Sequence, residues 1–354
     1  MRAPSLARGR LGIQLLIVAA FMAGAAEARE RPARIVIYNG LGTTASARLW
    51  GRVLEDEGKG APTAGESKWR KLKRSLSELE SDEIANASLE LVVLGKKHPL
   101  QADKEGLFVL DLKGPLPVGE HEVDATLVGK RAFSVEKARL KVVPAKPGIA
   151  VLSDVDDTVL QTGVTNKAKM IKKVLFSNAH DLKSYAGAAA LYQVWARRGY
   201  PIVFVSGSPV NLYSRLRQFF ALRGFPAAPL LLKNLGVSKG SDSLFDQKGY
   251  KLRRILEVQA LLPGYRFILV GDSGEKDPEI YSIVRDRDRK RVVDILIHRV
   301  TAEEPSLGRF HGELVFDSYP ELARLLAKRR ALGKNELTAI EDAAKASSEE
   351  ARTP

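Results

Sequence analysis

The chain has 354 residues, 45% of them hydrophobic and 28% charged, with a formal charge of +14 and no cysteine. That length holds about two domains, and the composition excludes a fully disordered chain. The lack of cysteine excludes disulfides, thiolate nucleophiles, zinc fingers and iron–sulfur ligation, and the five histidines (His98, His121, His180, His298, His311) include no i, i+4 pair. A bound metal is therefore expected to be a hard cation held by carboxylates. The basic balance favours an anionic partner without choosing among nucleic acid, membrane and phosphorylated substrate.

Residues 1–28 have the layout of a secretory signal peptide. Arg2, Arg8 and Arg10 precede an apolar run that ends at Ala26-Glu27-Ala28, a small-x-small cleavage site. The expectation is an exported protein, periplasmic or secreted, with a membrane tether by an uncleaved segment as the alternative. A nucleotide cofactor is not expected in such a compartment.

Residues 31–146 read as a small antiparallel β-sandwich domain with one inserted helix. β-branched or alternating runs at 34–38, 47–54, 89–94, 107–112, 120–127 and 138–143 are separated by Gly, Pro and Asp. The helix is predicted over 66–79, where Trp69, Leu72, Leu76 and Leu79 share a face amid lysines and arginines. Pro144 to Gly148 reads as a linker. From 148 to 330 the pattern changes. Apolar runs at 149–152, 202–205, 230–232, 267–270 and 292–297 alternate with helical patterns at 185–198, 212–222, 251–261 and 278–285. Such alternation predicts an α/β domain with a parallel sheet. The polar segment 337–354 is expected to be a frayed helix or a disordered tail.

Ligands of open α/β sheets bind at the carboxyl ends of the strands. The first strand here runs into Ser153-Asp154-Val155-Asp156-Asp157-Thr158, the second into Ser206-Gly207-Ser208-Pro209, and the strand after Lys251 into Gly271-Asp272 and on to Asp277. Asp154 and Asp156, two apart in extended chain, point to one side. Paired carboxylates repel unless a cation neutralises them. With Asp272 they form an oxygen set suited to Mg²⁺. The pattern fits phosphoryl transfer through an aspartyl phosphate. One Asp attacks phosphorus, the other handles the proton, and Lys251 and a hydroxyl such as Ser206 neutralise phosphoryl oxygens.

Asp154-x-Asp156-x-Thr158, Ser206, Lys251 and Gly271-Asp272 through Asp277 resemble, in order, the four motifs of the haloacid-dehalogenase phosphatases. The segments SDVDDTVLQTGV, FVSGSPVNLYSRLRQFF, GFPAAPLLLKNLG and FILVGDSGEKDPEIY are similar to the catalytic domain of the actin-patch-type phosphatidate phosphatases and their bacterial relatives, over about 148–300. The preceding β-domain resembles the one that bacterial members carry. The resemblance implies a Rossmann-like fold of haloacid-dehalogenase type and Mg²⁺-dependent conversion of phosphatidate to diacylglycerol. It implies Asp154 as nucleophile and metal ligand, and Asp156 as acid/base that also lends the metal its backbone carbonyl. It further implies Thr158 as support for the loop, Ser206 on a phosphoryl oxygen, Asp272 with Asp277 at the metal, and Lys251 on phosphate. Relatives often carry His-Lys where this chain has Tyr250-Lys251, so Lys248 competes for the lysine role.

Plainer readings stand beside these. Asp277-Pro278 is also a helix start, Thr158 a possible cap, and Ser208-Pro209 is assigned to capping. A Ca²⁺ loop on Asp154 would need Glu where Thr165 stands. The basic, apolar stretch 166–176 is either a helix packed on its own domain or a contact for an anionic lipid surface. The expected partner is a phosphorylated lipid, with an anionic membrane surface as a further possibility. A soluble phosphomonoester and a retired surface-binding protein are the alternatives. No nucleic-acid-binding motif is present.

Overall fold

The computed structural model describes residues 31–56, 83–162, 177–234, 246–302 and 308–350. The helix expected at 66–79, the basic stretch 166–176 and the signal-like segment 1–28 lie outside them.

The first half contributes eight strands: β1 (Ala33–Thr43), β2 (Ser46–Glu55), β3 (Ser88–Val93), β4 (Lys96–Gln101), β5 (Leu107–Lys113), β6 (Gly119–Leu127), β7 (Phe133–Glu136) and β8 (Ala138–Val143). They form one sheet in the order β4-β3-β6-β8-β1-β2-β5, with β7 also paired to β1. The sheet is mixed rather than purely antiparallel. The first part of β1 runs parallel to β7 and the last part parallel to β8. The sheet bends until β4 approaches β5, around a core that includes Ile35, Ile37, Leu49, Leu91, Val123 and Leu140. Alternation works as expected in β3, where Leu89, Leu91 and Val93 point inward. In β1 both faces are buried: Val36, Tyr38 and Leu41 turn away from that core and join the core of the second half.

The second half folds as β9 (Gly148–Ser153), α1 (Ala188–Arg197), β10 (Ile202–Pro209), α2 (Tyr213–Leu222), β11 (Leu230–Lys233), α3 (Gln247–Leu261), β12 (Tyr265–Asp272), α4 (Asp277–Arg287), β13 (Val292–His298), β14 (Leu314–Phe316), α5 (Tyr319–Lys328) and α6 (Lys334–Glu350). Six parallel strands lie in the order β11-β10-β9-β12-β13-β14. The chain winds outward from β9 through β10 and β11, then returns to β12 on its other side. The switch point therefore falls between β9 and β12, where such sheets open a crevice at their carboxyl ends.

The stretch expected to be a linker is pinned. Gly148 pairs with Tyr265, whose hydroxyl donates to the Pro144 carbonyl at 3.1 Å. Tyr38 stacks on Tyr213 with centroids 3.9 Å apart. Glu136 accepts from Arg34 at 2.9 Å and from Arg217 at 3.1 Å, and Arg48 reaches Glu257 at 2.8 Å. The two sheets thus share a packed seam.

Of the two readings of the polar C-terminal segment, a frayed helix or a disordered tail, the structure has a helix, α6, and it is docked. Ile340 and Ala344 are buried, and Glu336 takes both arms of Arg198, at 2.8 and 2.5 Å. Gly187, at φ +82°, starts α1 directly against Ile340 and Ala344. An apolar stripe this sparse reads as polar until α1 and α5 are seen to cover it. Ile340→Ala is expected to cost about 2–4 kcal/mol, read as a lower midpoint in thermal or urea unfolding; an unchanged midpoint would mean that α6 is not docked.

Glu313 is half-buried, accepts from Ser282 at 3.2 Å, and keeps its second oxygen buried without a hydrogen bond. Burial pushes its pKa from 4.5 up to about 8, against the pull of Ser282 and Arg285. A raised acid pKa favours folding while the group is protonated, and that benefit fades as pH rises from about 4.5 through about 8. Glu313→Gln should therefore gain on the wild type in melting temperature as pH is raised from 5 to 8. A pH-independent difference would contradict this.

Candidate active site

The acidic groups of the site lie at or just beyond the carboxyl ends of two buried strands, β9 and β12. Asp154 follows β9, and its backbone N–H donates to the Val270 carbonyl of β12 at 2.8 Å. Beyond it the chain folds tightly: the Val155 carbonyl accepts from both Val159 and Leu160 at 2.9 Å. Those three apolar side chains are fully buried, so the core anchors the loop that presents the carboxylates.

Asp154 and Asp156 are 1% and 2% exposed. Asp154 is 2.7 Å from Lys251 Nζ through Oδ1 and accepts from the Thr158 hydroxyl at 3.3 Å through Oδ2. Asp156 Oδ2 accepts from Ser206 at 2.7 Å and from Ser208 at 2.9 Å. Burial, then Glu275, pushes the Asp156 pKa up to about 6, against the two hydroxyls. A carboxyl poised there exchanges protons readily near neutral pH.

Lys251 is buried in α3, and its Nζ also donates to Glu275 at 2.8 Å and Asp277 at 2.6 Å. Burial pulls against its charge, but Asp154, Asp277 and Glu275 together hold its pKa well above the ordinary lysine value. Asp272 Oδ1 accepts from the Gly274 and Glu275 amides at 2.7 and 3.0 Å, and Asp277 Oδ2 accepts from the Asp272 amide at 3.2 Å. Gly271 leaves room for this: a Cβ there would stand 2.5 Å from the Asp277 carboxylate.

Asp154, Asp272, Glu275 and Asp277 each offer an oxygen within 4.8 Å of the others. Asp272 Oδ2 and Asp156 Oδ1 are buried with no hydrogen-bond partner among the described residues. Burial and mutual repulsion drive the Asp154 and Asp272 carboxyls well above their usual range, Lys251 opposing. One ammonium does not balance so many buried acids, and a hard divalent cation among these oxygens would. The residues fit Mg²⁺.

Thus Asp154, Asp156, Thr158, Ser206, Lys251, Asp272 and Asp277 converge on one crevice. Lys248 does not: it is exposed, while Lys251 is buried. Asp277 opens α4, yet its side chain serves Lys251 and the Asp272 amide rather than a cap. The capping assignment for Ser208 is corrected, since its hydroxyl binds Asp156 and the following turn has no side-chain cap. Glu275 was not among the expected residues. The signal was its place inside Asp272-x-x-Glu275-x-Asp277, a loop whose turn aims three carboxylates the same way.

Residues 149–299 match the family described as Phosphatidate phosphatase APP1, catalytic domain. Phosphatidate phosphatase APP1 of Saccharomyces cerevisiae is 31% identical over 193 residues, covering 53% of this chain and 32% of that protein. An uncharacterized protein of Schizosaccharomyces pombe is 26% identical over 207 residues, covering 56% of this chain and 34% of its own length. The chain thus spans about a third of the length of these curated relatives. Among solved structures, a phosphoserine phosphohydrolase-like protein from Francisella tularensis aligns with 51% of this chain and 100% of its own, at 15% identity and a TM-score of 0.32.

Proposed function

We propose that this protein is an exported, Mg²⁺-dependent phosphatidate phosphatase working through an aspartyl phosphate on Asp154. The carrying observation is the placement of buried Asp154 and Asp156 on one strand end, the first against Lys251 and the second against two hydroxyls. The catalytic-domain match over 149–299 supports a phosphomonoester as the substrate, and the yeast relative's name supports phosphatidate.

Asp154 attacks the phosphorus of the ester, and the bond from phosphorus to the lipid oxygen breaks. Asp156, whose pKa burial raises to about 6 so that a protonated fraction persists near neutral pH, gives its proton to the departing alkoxide, which leaves as diacylglycerol. The Asp156 carboxylate then takes a proton from water as that water attacks phosphorus. The P–O bond to Asp154 breaks, releasing phosphate and restoring both acids. With substrate bound, Lys251 and the Ser206 hydroxyl would turn from their carboxylate partners to the phosphoryl oxygens and neutralise them. Asp154, Asp272 and the Asp156 backbone carbonyl would hold Mg²⁺, with Glu275 and Asp277 beside them, and the ion would supply positive charge to the transferring group.

The test compares phosphate release from micellar phosphatidate and from soluble phosphomonoesters, in Mg²⁺ and in EDTA. Faster, Mg²⁺-dependent turnover of phosphatidate is expected. Preference for the soluble ester would discard the lipid, and no turnover of either by folded protein would discard the enzyme. Export is tested separately by the amino terminus of the protein recovered outside the cytoplasm, expected at Arg29.

A further inference from the structure

The loop that bears Asp154 and Asp156 is held in shape from outside itself. Asp157 has φ +55°, a left-handed conformation that non-glycine residues adopt at a cost. Such a residue persists only when its surroundings fix it. Its carboxylate accepts from the Thr162 amide at 2.9 Å, the Thr162 hydroxyl at 2.5 Å and the Tyr185 hydroxyl at 3.4 Å. Its backbone carbonyl lies 2.8 Å from His298 Nδ1. A carbonyl only accepts, so Nδ1 carries the proton. The next carbonyl, that of Thr158, accepts from the Tyr319 hydroxyl at 2.9 Å.

His298 ends β13 and is 3% exposed, its ring edge-on to Tyr185 at 4.3 Å and near Phe316 at 5.2 Å. It also faces the other loop of the site, because its own backbone carbonyl accepts from the Ser273 amide at 2.9 Å. Ser273 directly follows Asp272. One residue therefore bonds to both loops: the one carrying Asp154 and Asp156, and the one carrying Asp272, Glu275 and Asp277.

We propose that His298 is a positioning residue that, through its Nδ1–H on the Asp157 carbonyl, sets the nucleophile loop against the acidic loop. The proposal rests on the hydrolase reading above. The hydrogen bond of the His298 ring goes to the Asp157 carbonyl rather than to a carboxylate of the site, so its effect passes through the backbone at Asp157, whose φ orients the peptide joining it to Asp156.

Two variants of the full chain separate the donor from the ring. His298→Phe keeps a ring but removes the N–H, whereas His298→Asn removes the ring but places an amide N–H₂ near the Nδ1 position. Both should lose stability, the first by leaving a buried carbonyl unsatisfied and the second by leaving space among Tyr185 and Phe316. Their kinetics should differ. The phenylalanine variant is expected to lose about 10- to 100-fold in kcat with KM nearly unchanged, as supporting groups behind a metal site typically do. The asparagine variant should keep kcat within a few-fold of the wild type. Equal losses in both, an unaffected phenylalanine variant, or a loss confined to KM would overturn the proposal. Should the phenylalanine variant not fold, a folded asparagine variant with kcat down more than about tenfold overturns it alone. Hydrogen exchange at the Val159 and Leu160 amides gives a readout independent of turnover: exchange should quicken in the phenylalanine variant and not in the asparagine one. If the wild type hydrolyses no phosphomonoester, the hydrolase reading has failed, and the exchange result still decides the positioning.

Discussion

Asp154→Asn is expected to lower phosphate release by about ten-thousandfold or more while leaving the protein folded. The amide keeps the shape of the carboxylate but cannot form the acyl phosphate. Asp156 gives one oxygen to the Ser206 and Ser208 hydroxyls, and Asp272 gives one to the amides of its own turn. Stability should change little in EDTA, because the buried Asp154 carboxyl is driven up by desolvation and Lys251 keeps Glu275 and Asp277 as partners. The stabilisation gained on adding Mg²⁺ should shrink, since one ligand charge is gone. Turnover by this variant above about one part in a hundred would show that another group attacks phosphorus.

Lys251→Met should give the second large effect, and it reaches stability as well as rate. Lys251 Nζ stands within 2.8 Å of Asp154, Glu275 and Asp277, all deeply buried or nearly so. Removing one partner of a buried ion pair typically costs about 3–5 kcal/mol, because the remaining charges stay desolvated. The variant should melt well below the wild type in EDTA. Mg²⁺ should raise its melting temperature more than it raises that of the wild type, since the ion then faces the carboxylates without a competing ammonium. Activity should fall by about a thousandfold, the scale of losing a preorganised group that meets charge in the transition state. An unchanged melting temperature in EDTA would mean that the carboxylates do not depend on Lys251.

Much of the site was legible because chemistry sits where hydrophobic runs stop. The first of these strands is apolar from Ile149 to Leu152, just before Ser153-Asp154, and β12 is apolar from Phe267 to Val270, just before Gly271-Asp272. Boundaries that depend on burial by distant chain were harder. β4 is Lys96–Gln101, a polar edge strand containing Pro99, whose inward face is only half-buried His98 and Leu100. β7 is four half-buried or exposed residues whose strand character comes from pairing with β1. The unbroken apolar run in β1 did carry a signal of burial on both faces, but its partner Tyr213 lies in another part of the chain. The chemistry of Ser208 and Glu275 is not readable from their motifs, since spacing alone does not say which hydroxyl or carboxylate of a turn points inward. His298 lies 141 residues from Asp157, and no local pattern could join them.

In the proposed reaction Asp154 becomes covalently phosphorylated. The most direct measurement is a rapid acid quench during turnover of radiolabelled phosphatidate with Mg²⁺, followed by digestion and location of the label. A label on the peptide containing Asp154, stable to acid, released by hydroxylamine and missing from Asp154→Asn, is the expected result. Phosphate release at the full rate with no labelled protein at any time, or an undiminished label in Asp154→Asn, would contradict the account.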